Sequence, residues 1–307
     1  MYDLIIIGAG PAGVSAGIYA SRQKLNILIL SKDLGGQVAK KAVDIENYPG
    51  FEKISGPDLV DLYKKQLLAN ELEVSIEEVM SIKKDGHFFV TTKSGKVFES
   101  VAVIATSGAK SKLINVPGEG EFSGKGVSYC SLCDGPVFKN KAVAVIGGGN
   151  NGFESALFLS NYVKSVTILE YGDKVNADAE NQELVAHNKN IKVITNAKVL
   201  RIEGKVFVNA IFYQDRVSEK EVKLDVAGVF VEIGYSPATA FLGDLVELND
   251  KQEIITSAET LETKTLGLFS AGDCNVSRYK QIVMASGQGA LAALSAYQYI
   301  KRNKASL

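Results

Sequence analysis

The chain of 307 residues is long enough for two domains, and its content of 46% hydrophobic and 22% charged residues is typical of a globular protein rather than a disordered one. Its 34 basic and 35 acidic side chains nearly cancel, which argues against a nucleic-acid partner. No apolar run approaches the roughly 18 residues that span a bilayer, and Met1 leads into the first predicted strand without a signal peptide. We therefore expect a cytoplasmic protein with no membrane partner.

A glycine-rich turn follows the first predicted strand. The apolar run 4–7 leads into Gly8-Ala9-Gly10-Pro11-Ala12-Gly13, and residues 12–23 have helical character. Glycine at the first, third and sixth places lets backbone N–H groups approach a pyrophosphate at the start of the helix. The next buried strand, 26–30, ends at Ser31, where many dinucleotide-binding folds have an acidic residue for the ribose.

The same pattern occurs again in the second half of the chain. After the apolar run 142–146 comes Gly147-Gly148-Gly149-Asn150-Asn151-Gly152, and a helix and a buried strand are predicted within 153–169. Each half also has a stretch of period-two alternation, over about 73–100 and 191–224, which is typical of an antiparallel meander. The sequence therefore predicts an α/β fold with two Rossmann-like, three-layer dinucleotide-binding domains, each with a small antiparallel meander.

The last predicted elements indicate a discontinuous first domain. A strand at 266–270 and a long helix from about residue 281 have no counterpart after the cysteine motif. We expect them to return to the first domain, which would then comprise 1–113 and 245–307, with the second domain inserted at 114–244.

A cysteine pair begins the inserted domain, in the segment Cys130-Ser131-Leu132-Cys133-Asp134-Gly135. In a cytosolic protein such a pair favours redox chemistry. A zinc site would need two more ligands, and His87, His187 and Cys274 do not repeat the paired spacing, so we expect no metal. Two dinucleotide sites and one redox-active pair imply a relay of electrons.

The chain resembles, over essentially its full length, the low-molecular-weight thioredoxin reductases and the reductase portion of the flavoprotein subunit of alkyl hydroperoxide reductase. The two glycine turns and the cysteine segment are shared with both. Three more shared segments lie in the same order as in those families: Gly35-Gly36-Gln37, Asp44-Ile45-Glu46-Asn47-Tyr48-Pro49-Gly50 and Ala271-Gly272-Asp273. The resemblance implies a homodimeric flavoprotein disulfide reductase that uses NAD(P)H and FAD.

The resemblance assigns FAD to the first domain. The residues that it implies for FAD binding are Gly8, Gly10, Pro11, Ala12, Gly13, Gly35, Gly36, Gln37, Asn47, Thr106, Gly272, Asp273, Lys280, Gln281 and Ile282. For Asp273, a helix N-cap is the simpler alternative. Because Ser31 replaces the usual acid, the contact to the adenosine ribose is left unassigned.

The second glycine turn is expected to bind the nicotinamide cofactor through Gly147, Gly149, Asn150, Gly152 and Glu170. A carboxylate at Glu170 would accept hydrogen bonds from the ribose hydroxyls of NADH and repel a 2′-phosphate. NADPH-dependent thioredoxin reductases have His-Arg-Arg where this chain has Glu170-Tyr171-Gly172, and Lys174 is the nearest cation. NADH is therefore preferred, with NADPH left open. Glu170 as a solvated strand end and a donor other than a nicotinamide are the alternatives.

By resemblance, Cys133 is the sulfur next to the flavin and Cys130 attacks the partner. Asp134 is expected to donate and accept protons, with a structural N-cap as the alternative. Cys274 is interpreted as a packed small residue.

We expect the electron acceptor to be a separate protein, because the chain begins at its first nucleotide-binding strand without the thioredoxin-fold region of hydroperoxide-reductase flavoproteins. A thioredoxin-like protein is the first choice, and a glutaredoxin-like shuttle that serves a peroxiredoxin is the second. A dithiol oxidase that uses oxygen is a further alternative. A non-catalytic flavin or nucleotide sensor is a different class, and the intact Cys-x-x-Cys-Asp argues against it.

Overall fold

The computed structural model describes residues 1–40 and 44–304. The chain forms two compact units, one from Met1–Lys110 with Ser236–Leu307 and the other from Ser111–Tyr235. Among the helices of the described ranges, none combines the length and the apolar character needed to cross a bilayer.

The strands and helices alternate through both units. In chain order they are β1 (Tyr2–Ala9), α1 (Pro11–Arg22), β2 (Ile27–Leu34), α2 (Gly56–Ala69), β3 (Val74–Ile76), β4 (Val79–Asp85), β5 (His87–Thr92), β6 (Val97–Ala105), β7 (Ala109–Ser111), β8 (Val127–Ser128), α3 (Ser131–Asp134), β9 (Ala142–Ile146), α4 (Asn150–Leu159), β10 (Ser165–Leu169), α5 (Ala179–His187), β11 (Ile191–Ile194), β12 (Ala197–Gly204), β13 (Val208–Asp215), β14 (Glu221–Asp225), β15 (Gly228–Val231), β16 (Tyr235–Pro237), β17 (Leu268–Ser270) and α6 (Ile282–Lys304). Short 3-10 turns occupy Val38–Lys40, Gly135–Phe138 and Ala240–Leu245.

The first unit is built on a parallel sheet in the order β3-β2-β1-β6, and β17 also pairs with β6 in parallel. The predicted meander is present, but it is not a separate sheet. The long strand β6 pairs with β5 through its first half and with β1 through its second, and Ser100 pairs with both Phe88 and Tyr2. As a result, β5 and β4 extend the main sheet.

The second unit has a parallel sheet in the order β11-β10-β9-β15-β8 and a separate antiparallel sheet of β12, β13 and β14. The central strand of each parallel sheet is almost wholly apolar, because both faces of the sheet are covered. Helices pack on one face, and the antiparallel strands with their connections pack on the other. In β1, Leu4, Ile5 and Ile6 are each 0% exposed. Two Rossmann-like units, each with an antiparallel meander, confirm the predicted α/β fold.

The last helix packs against the first. α1 begins with proline, which needs no N–H partner at that position. A Cβ added at Gly289 of α6 would lie 2.1 Å from the carbonyl oxygen of Ala12 in α1, so the two backbones touch. The helix that begins at Ile282 therefore packs within the first unit.

In each unit the glycine turn follows the central strand, β1 or β9. This places both turns at the carboxyl edge of a parallel sheet, where open α/β folds bind ligands.

Candidate active site

The first glycine turn is closed by contacts within the protein except at its third place. Gly8 has φ of +113°, and a Cβ there would lie 2.3 Å from the carbonyl oxygen of Thr106. A Cβ at Gly13 would lie 1.8 Å from the carbonyl oxygen of Gly8. At Gly10, by contrast, a Cβ would meet no atom of the described residues within 4 Å. Space therefore remains in front of α1 for a group that approaches its backbone N–H donors.

Two hydroxyl side chains fix this turn. Thr106 Oγ1 donates to the carbonyl oxygens of Ile7 and Gly8, both at 2.9 Å. Ser31 Oγ accepts the N–H of Ala9 at 3.1 Å and donates to the carbonyl oxygen of Asp33 at 2.6 Å. Ser31 is thus engaged with the turn itself, at the position where other dinucleotide folds have a ribose-binding acid.

Four polar side chains predicted to line FAD form two pairs in the first unit. Gln37 Nε2 donates to Asp273 Oδ2 at 3.3 Å, and Asn47 Nδ2 donates to Gln281 Oε1 at 3.1 Å. Burial raises the pKa of the Asp273 carboxyl, and the charge of Lys280 opposes this rise. The fold therefore joins segments that are more than 200 positions apart in the sequence.

Lys280 is held by other residues of the first unit. Its Nζ lies 2.7 Å from Glu253 Oε1, with the two side chains 9% and 11% exposed, and it donates to the carbonyl oxygen of Asn275 at 2.8 Å. The next two residues are Gln281 and Ile282, which begins α6. The ion pair therefore orders the segment from which α6 starts.

The remaining glycines of the predicted FAD site are packed or have positive φ. A Cβ at Gly35 would lie 2.3 Å from Val60, and Gly36 has φ of +56°. Gly272 has φ of +82°, and its N–H donates to Gln288 Oε1 at 2.8 Å.

The second glycine turn repeats the geometry of the first. Gly147 has φ of +119°, and a Cβ there would lie 2.7 Å from the carbonyl oxygen of Glu232. A Cβ at Gly152 would lie 1.9 Å from the carbonyl oxygen of Gly147, whereas one at Gly149 would have no described atom within 4 Å. The space in front of α4 therefore matches that in front of α1.

Asn150, the first residue of α4, bonds to the segment before α5. Its Nδ2 donates to Asp178 Oδ2 at 2.7 Å, and its Oδ1 accepts the N–H of Asp178 at 2.6 Å. Asp178 precedes the first residue of α5. The side chain predicted to bind the nicotinamide cofactor thus also ties two helix starts together.

Glu170 follows β10 and accepts two backbone N–H groups, those of Gly148 and Gly172. A cation that was not predicted from the sequence lies beside the next residue, Tyr171. The guanidinium of Arg216 lies 4.2 Å from the ring centroid of Tyr171, and Nη1 donates to the Tyr171 carbonyl oxygen at 2.9 Å. Arg216 belongs to the connection between β13 and β14, and no local motif connects it with Glu170.

Cys130 and Cys133 form a disulfide at α3. Ser128, at the end of β8, supports this segment: it accepts the N–H of Cys130 at 3.1 Å, and its hydroxyl donates to Asp134 Oδ2. Asp134 is therefore held by a side chain from the neighbouring strand. Ser128 was not predicted, because it lies outside the Cys-x-x-Cys motif.

A second carboxyl group lies behind the cysteine segment. Glu232 Oε1 accepts the hydroxyl of Ser155 at 2.9 Å, and the carboxylate also hydrogen-bonds to the N–H and hydroxyl of Ser131. Burial raises the pKa of Glu232 to about 7. Glu232 was not predicted from the sequence, since it lies after β15 without a recognisable motif.

Comparison with known proteins accords with this arrangement. A family model described as pyridine nucleotide-disulphide oxidoreductase matches residues 2–289. The chain is 40% identical over 311 residues to an alkyl hydroperoxide reductase subunit of Escherichia coli (strain K12), an alignment that covers 99% of the chain and 59% of that relative. It is 39% identical over 303 residues to NADH dehydrogenase of Bacillus subtilis (strain 168), with 98% of the chain and 59% of that relative covered.

Among solved structures, thioredoxin reductase from Streptococcus pyogenes MGAS5005 matches with a TM-score of 0.92 and 33% identity, covering 98% of this chain and 99% of that one. The chain therefore belongs to the pyridine nucleotide-disulphide oxidoreductase family, which confirms the resemblance drawn from the motifs. It spans 59% of the length of the two curated relatives.

Proposed function

We propose that this member of the family is a thioredoxin-disulfide reductase that passes electrons from NADH, through FAD and the Cys130–Cys133 disulfide, to a thioredoxin-like protein. One observation carries the proposal: a single chain combines two dinucleotide-type glycine turns with a disulfide flanked by a hydrogen-bonded carboxylate. The likeness to a thioredoxin reductase over 98% of the chain supports the choice of acceptor. By the same likeness, we expect a homodimer in solution.

The first unit fits FAD. The space at Gly10, in front of the backbone N–H groups of α1, suits a pyrophosphate. The pairs Gln37–Asp273 and Asn47–Gln281 provide amide and carboxyl groups for the rest of the cofactor. When bound, FAD would supply a two-electron centre between nicotinamide and disulfide.

The second unit fits a nicotinamide dinucleotide. Gly149 leaves the same space in front of α4, and Glu170 stands at the end of the neighbouring strand, where a carboxylate reads the ribose hydroxyls. The negative charge of Glu170 disfavours a 2′-phosphate, which supports NADH as the preferred donor. Arg216 supplies a cation beside Tyr171, so NADPH is expected to bind more weakly rather than to be excluded.

The disulfide would carry the exchange with the partner. In the reduced protein, the Cys130 thiolate attacks the partner disulfide and forms a mixed disulfide, while one partner sulfur leaves as a thiolate. Cys133 then attacks the Cys130 sulfur, which re-forms the intramolecular disulfide and releases the second partner sulfur. Asp134, oriented by Ser128, would take the proton from the attacking thiol and return it to the leaving sulfur.

The direct test is reduction of thioredoxin by the purified flavoprotein with NADH or NADPH. We expect turnover with NADH, no turnover in Cys130→Ser, and a rate lowered by about 10²–10⁴-fold in Asp134→Asn. Reduction of the flavin by NADH should be unchanged in both variants. Absence of thioredoxin turnover with both nucleotides in the wild type would contradict the proposal.

A second acceptor is favoured by the 40% identity to an alkyl hydroperoxide reductase subunit. A glutaredoxin-like shuttle that serves a peroxiredoxin would use the same exchange chemistry at Cys130. Comparing kcat/KM for thioredoxin and glutaredoxin as acceptors distinguishes the two. If neither nucleotide reduces the flavin while dithionite does, the donor is of another class.

A further inference from the structure

Glu232 and Thr106 occupy equivalent positions in the two units. The N–H of Thr106 donates to the carbonyl oxygen of Ile7 at 2.8 Å, and the N–H of Glu232 donates to that of Ile146 at 2.9 Å. Ile7 and Ile146 each directly precede a glycine turn. The same backbone position therefore carries a hydroxyl in one unit and a carboxyl in the other.

The two side chains bond to different parts of their units. Thr106 donates to the carbonyl oxygens of its own turn. Glu232 instead reaches Ser155 of α4 and Ser131, the residue that follows Cys130. The hydroxyls of Ser131 and Ser155 are 2.8 Å apart, and these residues are 5% and 7% exposed. A largely buried chain of hydrogen bonds thus connects Glu232, which follows β15, with Ser131, one of the two residues between the cysteines.

Few other charges surround this carboxyl group. The helices beside it carry Asp134 at α3 and Glu154 of α4, together with Cys130 and Cys133, which can ionise only after the disulfide is reduced, and the neighbouring strands β8 and β9 carry no ionisable group. Burial is the main influence on the pKa of Glu232 and raises it to about 7, while hydrogen bonds from the two serines oppose the rise. The carboxyl therefore changes charge near neutral pH.

We propose that Glu232 is a positioning residue for the Cys130–Cys133 pair and that, through Ser155 and Ser131, its charge sets how readily the disulfide is reduced. This inference rests on the function proposed above and concerns the same disulfide. When dithiothreitol reduces it, two electrons and two protons pass from the reagent, the Cys130–Cys133 bond breaks, two thiols form, and the reagent closes to its own disulfide. Ionisation of either new thiol puts a negative charge close to Glu232. An ionised Glu232 therefore disfavours the reduced form, and a protonated one does not.

The test is the equilibrium constant between the purified flavoprotein and dithiothreitol, with thiols trapped by alkylation and counted by mass. It compares wild type with Glu232→Gln between pH 5.5 and pH 8. At pH 5.5 the wild-type carboxyl is protonated, so the two constants should agree. At pH 8 the constant for Glu232→Gln should exceed that of the wild type, in the direction of reduction, by about 3- to 10-fold, since a tenfold change corresponds to one pKa unit of coupling.

Two outcomes would overturn the inference. A ratio that differs from one by the same factor at every pH would mean that the glutamine only perturbs packing. A ratio of one throughout would mean that Glu232 does not influence the disulfide. Because the assay uses neither nicotinamide nor a protein acceptor, failure of thioredoxin reduction would leave its result intact.

Two further variants sharpen the measurement. Ser155→Ala removes a donor that favours the ionised carboxylate of Glu232. The pH at which the equilibrium constant for reduction falls should therefore be higher in this variant than in the wild type. It also serves if Glu232→Gln does not fold, and an unchanged pH would count against the proposal. Glu183→Gln, on the exposed side of α5, removes one negative charge from the same unit and should leave the constant unchanged at every pH.

Discussion

The two glycine turns have the same backbone but different side chains beside them. In both turns, the glycine at the sixth place, Gly13 or Gly152, approaches the carbonyl oxygen of the glycine at the first place. The glycine at the third place, Gly10 or Gly149, faces open space. The backbone conformation is set by steric contacts that leave no room for a Cβ, so it is the same in both units.

The side chains that the flanking strands place beside the turns differ in charge. Ser31 and Glu170 each accept the N–H of the second residue in their turn, and Thr106 and Glu232 each follow the strand on the other side. The first unit has two neutral hydroxyls at these positions, and the second has two carboxyl groups. A Rossmann-like backbone can therefore be repeated while the residues beside its turn, on or just after the neighbouring strands, determine its chemistry.

The largest expected effect comes from the glycines that the two turns share. Gly13→Ala and Gly152→Ala would each place a Cβ within 2 Å of a carbonyl oxygen, at 1.8 Å and 1.9 Å respectively. We expect each to destabilise its own unit by on the order of 4 kcal/mol or more. Gly13→Ala should lose FAD, whereas Gly152→Ala should retain FAD and lose reduction by NADH. Urea unfolding and flavin absorbance measure both effects.

The matched controls are Gly10→Ala and Gly149→Ala, where the added Cβ meets no described atom within 4 Å. Both should fold with wild-type stability, and each should weaken binding of the dinucleotide in its own unit. If Gly10→Ala binds FAD as tightly as the wild type, the space in front of α1 is not the pyrophosphate site.

The second prediction uses the charge difference between Thr106 and Glu232. An unfolded glutamate ionises near pH 4.5, whereas folded Glu232 does so only near pH 7. Between these values the folded state binds more protons, so the stability of the wild type falls as pH rises. Relative to Glu232→Gln, it should lose about 3 kcal/mol from pH 4.5 to pH 8. Urea midpoints of the two proteins at each pH measure the difference.

Thr106→Ser is the control in the first unit, because it keeps a neutral hydroxyl and adds no titrating group. Its stability relative to the wild type should not depend on pH. A constant difference between wild type and Glu232→Gln across this pH range would show that Glu232 does not titrate there.

The third prediction sharpens the contrast between Ser31 and Glu170. Glu170→Gln keeps an acceptor oxygen for only one of the N–H groups of Gly148 and Gly172, which bond to different carboxylate oxygens, and it removes the charge that repels a 2′-phosphate. The preference for NADH over NADPH should therefore fall by about tenfold. Stopped-flow reduction of the flavin by each nucleotide gives the ratio.

Arg216→Ala should change the same ratio in the opposite direction, because it removes the cation beside Tyr171 and thus weakens NADPH binding more than NADH binding. Lys174→Ala measures whether the other cation close to Glu170 in the sequence contributes in the same way. Equal losses with both nucleotides in Arg216→Ala would limit its role to packing on Tyr171.

The smallest expected effect is that of Ser31→Ala. The substitution leaves the N–H of Ala9 without its acceptor and should cost about 1 kcal/mol of stability, with FAD still bound. Thermal unfolding of the flavoprotein measures the cost. A large loss of FAD affinity in this variant would instead assign Ser31 to the ribose.

The sequence predicted the features that depend on local patterns. Both glycine turns, the parallel strands and the cysteine segment follow from periodicity and spacing, and the structure confirms the fold class. The proximity of Gln37 to Asp273 came only from resemblance, because nothing local joins positions so far apart. The individual binding and catalytic roles stay predictions.

The side chains that sequence reasoning missed share one property. Ser128, Arg216 and Glu232 each gain their partners through the packing of separate elements, and none belongs to a motif. The sequence predicted the first meander but not its place in the sheet, since the length of β6 decides whether β5 joins the main sheet. Such features are set by tertiary contacts, which a single sequence does not display.

The contact between Ala12 and Gly289 has a consequence for synthesis of the chain. Every residue of the second unit, Ser111–Tyr235, leaves the ribosome before α6 does. The inserted unit can therefore fold first. Until α6 is synthesised, the apolar face of α1 that α6 covers in the folded protein remains exposed. A nascent chain stopped before residue 282 should carry a folded second unit and an incomplete first unit, so the first unit is the one that needs protection from aggregation during translation.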